Sequence, residues 1–266
     1  MKMNNDIVVK NWLDLQKLLF ENSWDEGIQR YRSPYAFRGL SLKDYELKTT
    51  LIRLGGRFEL MEKHLLRNFR KYSPKGTLSS DLIWDWLAVA QHHGLSTRLL
   101  DWTYSPYVAM HFVTANQLHY DQDGAVWCVN FMKSNELLPA QLNSTLFDES
   151  SNVFTGEMLG RNCKSLADLE KLKDNNEDFV LFLEPPSFDD RIVNQFALFS
   201  LFSNPKSQLD YWLEDHPDLY YRIIIPAKLK WEIRDKLDQV NITERVLFPG
   251  LDGLSAWLRR YYGPGK

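Results

Sequence analysis

The stretch QHHGLSTRLLDWTYSPYVAMHFV, Gln91 to Val113, sets three histidines, an arginine, an aspartate, a tryptophan and several hydroxyls into an otherwise apolar segment. Its punctuation decides how the chain is read. Gly94 suits the end of a helix that runs through SDLIWDWLAVAQHH, with Ser80 as the expected N-cap. The run LSTRLLDWT then reads as a strand, and SPYVAMHFVTAN as a second helix with Ser105 at its N-cap and Pro106 at its first helical position. Thr97, Arg98 and Asp101 therefore fall at element ends and turns, where backbone groups are free and sites are commonly built.

Working outward, YAFRG (Tyr35 to Gly39) is short and aromatic, and it ends in Gly, as a strand running into a turn does. NWLDLQKLLFEN spaces Trp12, Leu15, Leu18 and Leu19 as an amphipathic helix, so residues 1–30 form a helical lead-in. RFELMEKHLLRNFRKY puts Phe58, Met61, Leu65 and Phe69 on one helical face. Downstream, GAVWCVNF, DFVLFLEPP, FALFSLF and YYRIIIP have strand composition, while AKLKWEIRDKLDQV and LDGLSAWLRRYY are helical. Strands and helices mix without regular βαβ alternation. The expected class is α+β, a central mixed or mostly antiparallel sheet with surrounding helices, in a single domain over 1–266. Residues 133–178 are polar and irregular, and read as an insertion over the core.

Composition narrows the function. Hydrophobic residues make up 44% and charged residues 25% of 266, ordinary for a globular chain, whereas 14% aromatic residues with nine Trp offer walls for a core or a ligand. A net charge of -3 argues against bulk nucleic-acid binding, which needs a clustered basic surface. Cys128 and Cys163 are too few for a disulfide framework and lack the spacing of a metal knuckle. The opening MKMNNDIVVKNW has no apolar leader region, and no run reaches bilayer length. A cytoplasmic chain without a membrane partner is expected.

Adjacent His92 and His93 point about 100° apart on a helix, so no metal site is expected from them. The other histidines are scattered. No nucleophile elbow, P-loop or dinucleotide glycine fingerprint occurs, and LGGRF at Leu54 is a turn rather than a phosphate cradle. An Arg and an Asp three residues apart also have a plain reading as an ion pair that locks a turn, and Trp102 has one as core packing.

AFRG followed by QHHGLSTRLLDWTYSPYVAMHFV, then RIVNQFALFSLF and LFPGLDGL, resembles the FRG domain family, named for its Phe-Arg-Gly motif. The resemblance runs from Phe37 to about Leu254. Ser96 stands where the family usually has Pro, and Ala197 where it often has Gly. The family is similar to bacterial and phage proteins found in settings of defence or toxicity. A more distant resemblance is to ADP-ribosyltransferases, in which an Arg on a first core strand is followed by a Ser/Thr-bearing strand and a later Glu or Gln. It implies an NAD-dependent ADP-ribosyltransferase or NAD-cleaving enzyme with NAD as co-substrate and no metal.

On that resemblance Arg38, Thr97 and Gln195 carry the catalysis, while Arg38, Gln91, His92, Arg98, Asp101 and Trp102 bind the nucleotide. The chemistry gives these types a reason. Cleavage of the nicotinamide-ribose bond passes through an oxocarbenium-like ribose, so an arginine fork suits the phosphates and an acceptor group suits the developing positive charge. Gln195 orients a hydroxyl but carries no charge, while Glu244 in ITERVLFPG is ionised but sits near a turn and has a surface reading. Asp101 is a further carboxylate, which orients an arginine instead if it pairs with Arg38 or Arg98. The alternative function is a non-catalytic module whose polar pocket binds a nucleotide or a protein partner.

Overall fold

The computed structural model describes residues 5–172 and 177–263. Seven strands form one sheet in the order β1 (Asp6–Val8), β9 (Tyr220–Ile225), β6 (Gly124–Asn130), β4 (Tyr35–Leu40), β5 (Leu99–Thr103), β8 (Ala197–Phe202) and β7 (Val180–Leu183). A two-stranded ribbon pairs β2 (Trp24–Asp25) with β3 (Arg30–Tyr31). Among the described residues only the β1–β9 strand pair of the main sheet is parallel; the other neighbours run antiparallel. The fold is α+β with a mixed, mostly antiparallel sheet. The lead-in contributes β1 at the sheet edge as well as the helix Trp12–Leu19, which Asn11 caps through its side chain.

One face of the sheet carries a continuous core in which Ala36, Leu40, Leu100, Trp102, Trp127, Val129, Phe182 and Leu198 meet. The other face is covered in two parts. Over β9, β6 and β4, Phe37, Val126, Cys128 and Ile223 pack against Ala109, Met110, Leu15 and Ile233 of three helices. Over β5, β8 and β7, Leu99, Phe199, Leu201 and Leu181 pack against Trp84, Leu87, Leu142 and Leu159. The helical layer thus divides above the β4–β5 boundary. That boundary is itself weak, because β4 pairs with β6 over six residues but meets β5 only at Phe37–Thr103.

Helix punctuation follows side-chain chemistry. Ser105 Oγ accepts from the Val108 N–H at 3.3 Å with Pro106 in the first turn, as the sequence predicts. The preceding helix begins later than expected, at Ile83 and not after Ser80. Ser80 closes a turn ahead of it instead: its hydroxyl accepts from the Leu82 N–H at 3.1 Å, while its carbonyl takes the Trp86 indole N–H at 2.9 Å. Gly94, at φ +81°, provides the left-handed turn after that helix. β5 starts at Leu99, so Thr97 and Arg98 precede the strand.

Residues 133–178, expected to be irregular, include the helices Ala140–Asp148, Gly156–Asn162 and Leu166–Lys171; positions 173–176 lie outside the described residues. Their apolar residues are sparse, yet Leu142, Leu159, Leu166 and Leu169 are buried in the core over β5, β8 and β7. Polar composition hid a helical layer whose inner stripe is narrow.

Candidate functional site

The divided helical layer leaves a cleft of about 520 Å³ above the β4–β5 seam. That volume lies within the range of small-molecule sites. Its walls come from Phe37, Arg38 and Gly39 of β4, from Asp101 and Thr103 of β5, from Gln91 to Gly94 at the end of one helix, and from Arg191 and Gln195.

The Phe-Arg-Gly motif divides its work by position. Phe37 is fully buried on the helix side of the sheet, a burial that contributes on the order of 1.5–3 kcal/mol. Gly39 lies directly beneath the helix Pro106–Val113, where an added Cβ would overlap the Ala109 carbonyl. No larger residue fits there without displacing the helix. Arg38 alternates with these two and spans the seam, donating from Nη1 to the main-chain carbonyl of Asp101. Because the ladder has stopped at Phe37–Thr103, that carbonyl is open to a side-chain donor.

Arg38 is only loosely paired with the Asp101 carboxylate, at 3.9 Å, and its buried Nε has no hydrogen-bond partner. Burial lowers the proton affinity of the guanidinium; Asp101 opposes this and Arg53 reinforces it. The Asp101 side chain is 61% exposed and accepts from Gln91 Nε2 at 3.1 and 3.2 Å. Gln91 is oriented in turn by the Thr97 hydroxyl, which donates to its Oε1 at 2.5 Å. A chain from Thr97 through Gln91 to Asp101 therefore presents a carboxylate beside a guanidinium.

Next to Gln91 at the same helix end, His92 Nε2 lies 3.4 Å from Asp189 Oδ2. Burial lowers the His92 pKa below its usual 6.5, with Arg191 and His93 adding to the effect and Asp189 opposing it. Burial works against the Asp189 charge, but the Arg191 N–H and His92 outweigh it and hold the carboxyl below its usual range. Arg191 lies on the face of the Phe248 ring at 4.9 Å, and its buried Nε is also without a partner. Gln195 lines the cleft while its amide donates to the Leu247 carbonyl at 2.8 Å. Phe196, at φ +47°, then turns the chain into β8, a left-handed conformation that costs about 1–2 kcal/mol for a bulky residue.

Arg38, Gln91, His92, Asp101 and Gln195 thus meet in one cleft. Three expected members are placed differently. Arg98 turns away from the cavity into a buried ion pair, its Nε donating to both oxygens of Glu62 at 2.8 and 2.9 Å and its Nη2 to Glu170 at 2.7 Å. Thr97 is buried behind Gln91 and does not line the cavity. Trp102 borders the cleft, but its indole N–H bonds Ser200 Oγ at 2.9 Å and its ring meets Phe182 edge-on, on the far face of the sheet. Strand alternation explains this: Asp101 and Trp102 are neighbours and point to opposite faces. Glu244 does not line the cleft and is paired with Arg260 at 2.5 Å. Sequence reasoning passed over Arg191 and Asp189. Arg191 stands four residues before Gln195, a spacing that shares one helix face. Asp189 is the N-cap of the same short helix.

Comparison with protein-family profiles matches residues 33–122 to the FRG domain. The chain carries an FRG domain. The matched span holds β4, β5 and the two helices between which the cleft opens, including Arg38, Gln91, His92 and Asp101. Asp189, Arg191 and Gln195 come from beyond it, so the FRG domain's cleft is completed by the later chain. No curated relative and no solved structure matches the chain. Among the described residues no helix is long and apolar enough to cross a membrane, and no three His, Cys, Asp or Glu side chains gather in a metal-binding group.

Proposed function

We propose that the FRG cleft binds NAD and splits its nicotinamide-ribose bond, passing ADP-ribose to an acceptor. The observation that carries this reading is the meeting of Arg38 and Arg191, each with a buried unbonded Nε, with an open carboxylate, Asp101, in one cavity of small-molecule size. Guanidinium forks match phosphate oxygens, so the two arginines take the pyrophosphate. Asp101, held in place by Gln91 and Thr97, is the acceptor group that steadies positive charge on the ribose as nicotinamide departs. The distant resemblance to ADP-ribosyltransferases supports the choice of NAD among nucleotides. In a cell, such an activity suits a role in defence or toxicity.

The test is incubation of the pure protein with NAD and candidate acceptors, read by mass spectrometry. Released nicotinamide, with ADP-ribose on an acceptor or on water, is expected from the wild type and lost in Arg38→Ala and Asp101→Asn. NAD retained on the protein with no nicotinamide released, even with cell extract as acceptor, would instead make the cleft a nucleotide sensor.

A further inference from the structure

We propose that His92 is the general base of this cleft, and that the acceptor it serves is a neutral hydroxyl. The assignment rests on the reading of the cleft as an NAD site and adds the chemical class of the second substrate.

His92 closes the helix Ile83–His92, immediately after Gln91, so the residue that orients Asp101 and the imidazole share one helix end. The ring is fixed from several sides. Phe188 and His93 meet it edge-on at 5.4 and 5.1 Å, and Asp189 Oδ2 lies 3.4 Å from Nε2. An ionised carboxylate only accepts, so this contact favours the neutral tautomer that carries its proton on Nε2. Nδ1 then carries a lone pair, and among the described residues it has no hydrogen-bond partner. The charged and titratable groups around the ring are Asp189, Arg191 and His93, with Arg38 and Asp101 on the facing strands of the cleft. Burial, with Arg191 and His93 adding to it, favours the neutral ring, while Asp189 stands ready to balance an imidazolium once a proton is taken.

The base selects the acceptor. An ammonium has no lone pair and a guanidinium only delocalised ones, so each must lose a proton before it attacks, whereas a carboxylate or thiolate needs no base. A hydroxyl is neutral on arrival and must lose a proton on transfer. The step balances without an oxidant. The bond between C1′ of the ribose and the nicotinamide nitrogen breaks with its electron pair going to the ring nitrogen, which becomes neutral. An acceptor oxygen lone pair forms the new C1′–O bond, and the acceptor proton passes to Nδ1 of His92.

The experiment follows NAD consumption by the full chain across the acid and neutral range, with water and methanol as hydroxyl acceptors and agmatine as a guanidinium acceptor. The wild-type rate is expected to rise with pH through a pKa below 6.5 and then level off, giving ADP-ribose and its methyl glycoside. His92→Gln is expected to lose about 100-fold or more in rate, together with the acid limb, while keeping the NAD-dependent thermal shift. Asp189→Asn retains a capping side chain but removes the charge that raises the His92 pKa, so the limb should move to lower pH. An unchanged rate or acid limb in His92→Gln, or preferential modification of agmatine, would overturn the assignment while leaving the NAD site standing. Absence of turnover by the wild type would overturn the proposed function, and this assignment with it.

Discussion

The guanidinium of Arg38 donates to the main-chain carbonyl of Asp101 across the seam where β4 and β5 part. That bond substitutes for a strand pairing that the sheet does not make, and it holds the arginine in the wall of the cleft. Arg38→Ala removes one charge-assisted bond at a partly exposed position and at the same time relieves an unbonded buried Nε. Its cost in stability should be about 1 kcal/mol. Urea unfolding should show this small change in a protein whose nucleotide-induced stabilisation is gone.

Arg98 stands in contrast, with its side chain and that of Glu62 both almost wholly buried. Arg98→Ala strands a carboxylate in the core and is expected to cost about 3–5 kcal/mol, whereas replacing both partners with apolar residues of similar size should recover much of it. Denaturant midpoints of the two single variants and the double variant measure this. Recovery would show that the pair acts as structure and takes no part in the cleft.

Gly39→Ala sets a methyl group against the Ala109 carbonyl. Main-chain atoms of a packed helix cannot swing aside, so a loss of about 1–3 kcal/mol or more is expected, with the helix Pro106–Val113 displaced from the cleft. Gly94 has open space around its Cβ position but φ of +81°, so Gly94→Ala should cost only about 1–2 kcal/mol. Reversal of that order in urea unfolding would contradict the packing account of the motif glycine.

His111 gives the fold an acid sensitivity. Its Nδ1 takes a hydrogen bond from Arg234 at 2.7 Å, which requires a neutral ring, and burial with Arg234 close by lowers its pKa to about 3. The unfolded chain binds a proton near pH 6.5 and the folded one does not. The stability from this group is therefore fully present above 6.5 and is lost progressively as pH falls toward the folded value. Between the two, the slope contributed is about 1.4 kcal/mol per pH unit. Chemical denaturation at a series of pH values should show that slope reduced in His111→Gln.

Much of this was legible in the chain. The strands read from YAFRG, GAVWCVNF, FALFSLF and YYRIIIP all exist, because β-branched and aromatic runs bounded by turn residues have little other use. Arg38, Gln91, Asp101 and Gln195 were read as site residues from motifs, and the fold brings them into one cleft. What stayed hidden was orientation. A one-residue difference in a strand reverses the face, which separates Asp101 from Trp102, and nothing local announces that Arg98 has a carboxylate waiting at Glu62, 36 positions earlier. The 133–178 helices were missed because their buried stripe is only a few leucines wide, and Asp189 and Arg191 because their role exists only once the later chain folds back over the seam.

The claim that the seam between β4 and β5 is a nucleotide site held by Arg38 and Arg191 is tested most directly by a thermal-shift titration. NAD, ADP-ribose, ATP and GTP are titrated in parallel into the wild type, Arg38→Ala and Arg191→Ala. A ligand that binds only the folded chain raises its stability by about 2.7 kcal/mol at a hundredfold excess over the dissociation constant. That rise is expected with NAD in the wild type and is expected to vanish in both variants. No shift with any of the four nucleotides, or an NAD shift of equal size in the two arginine variants, would contradict the account.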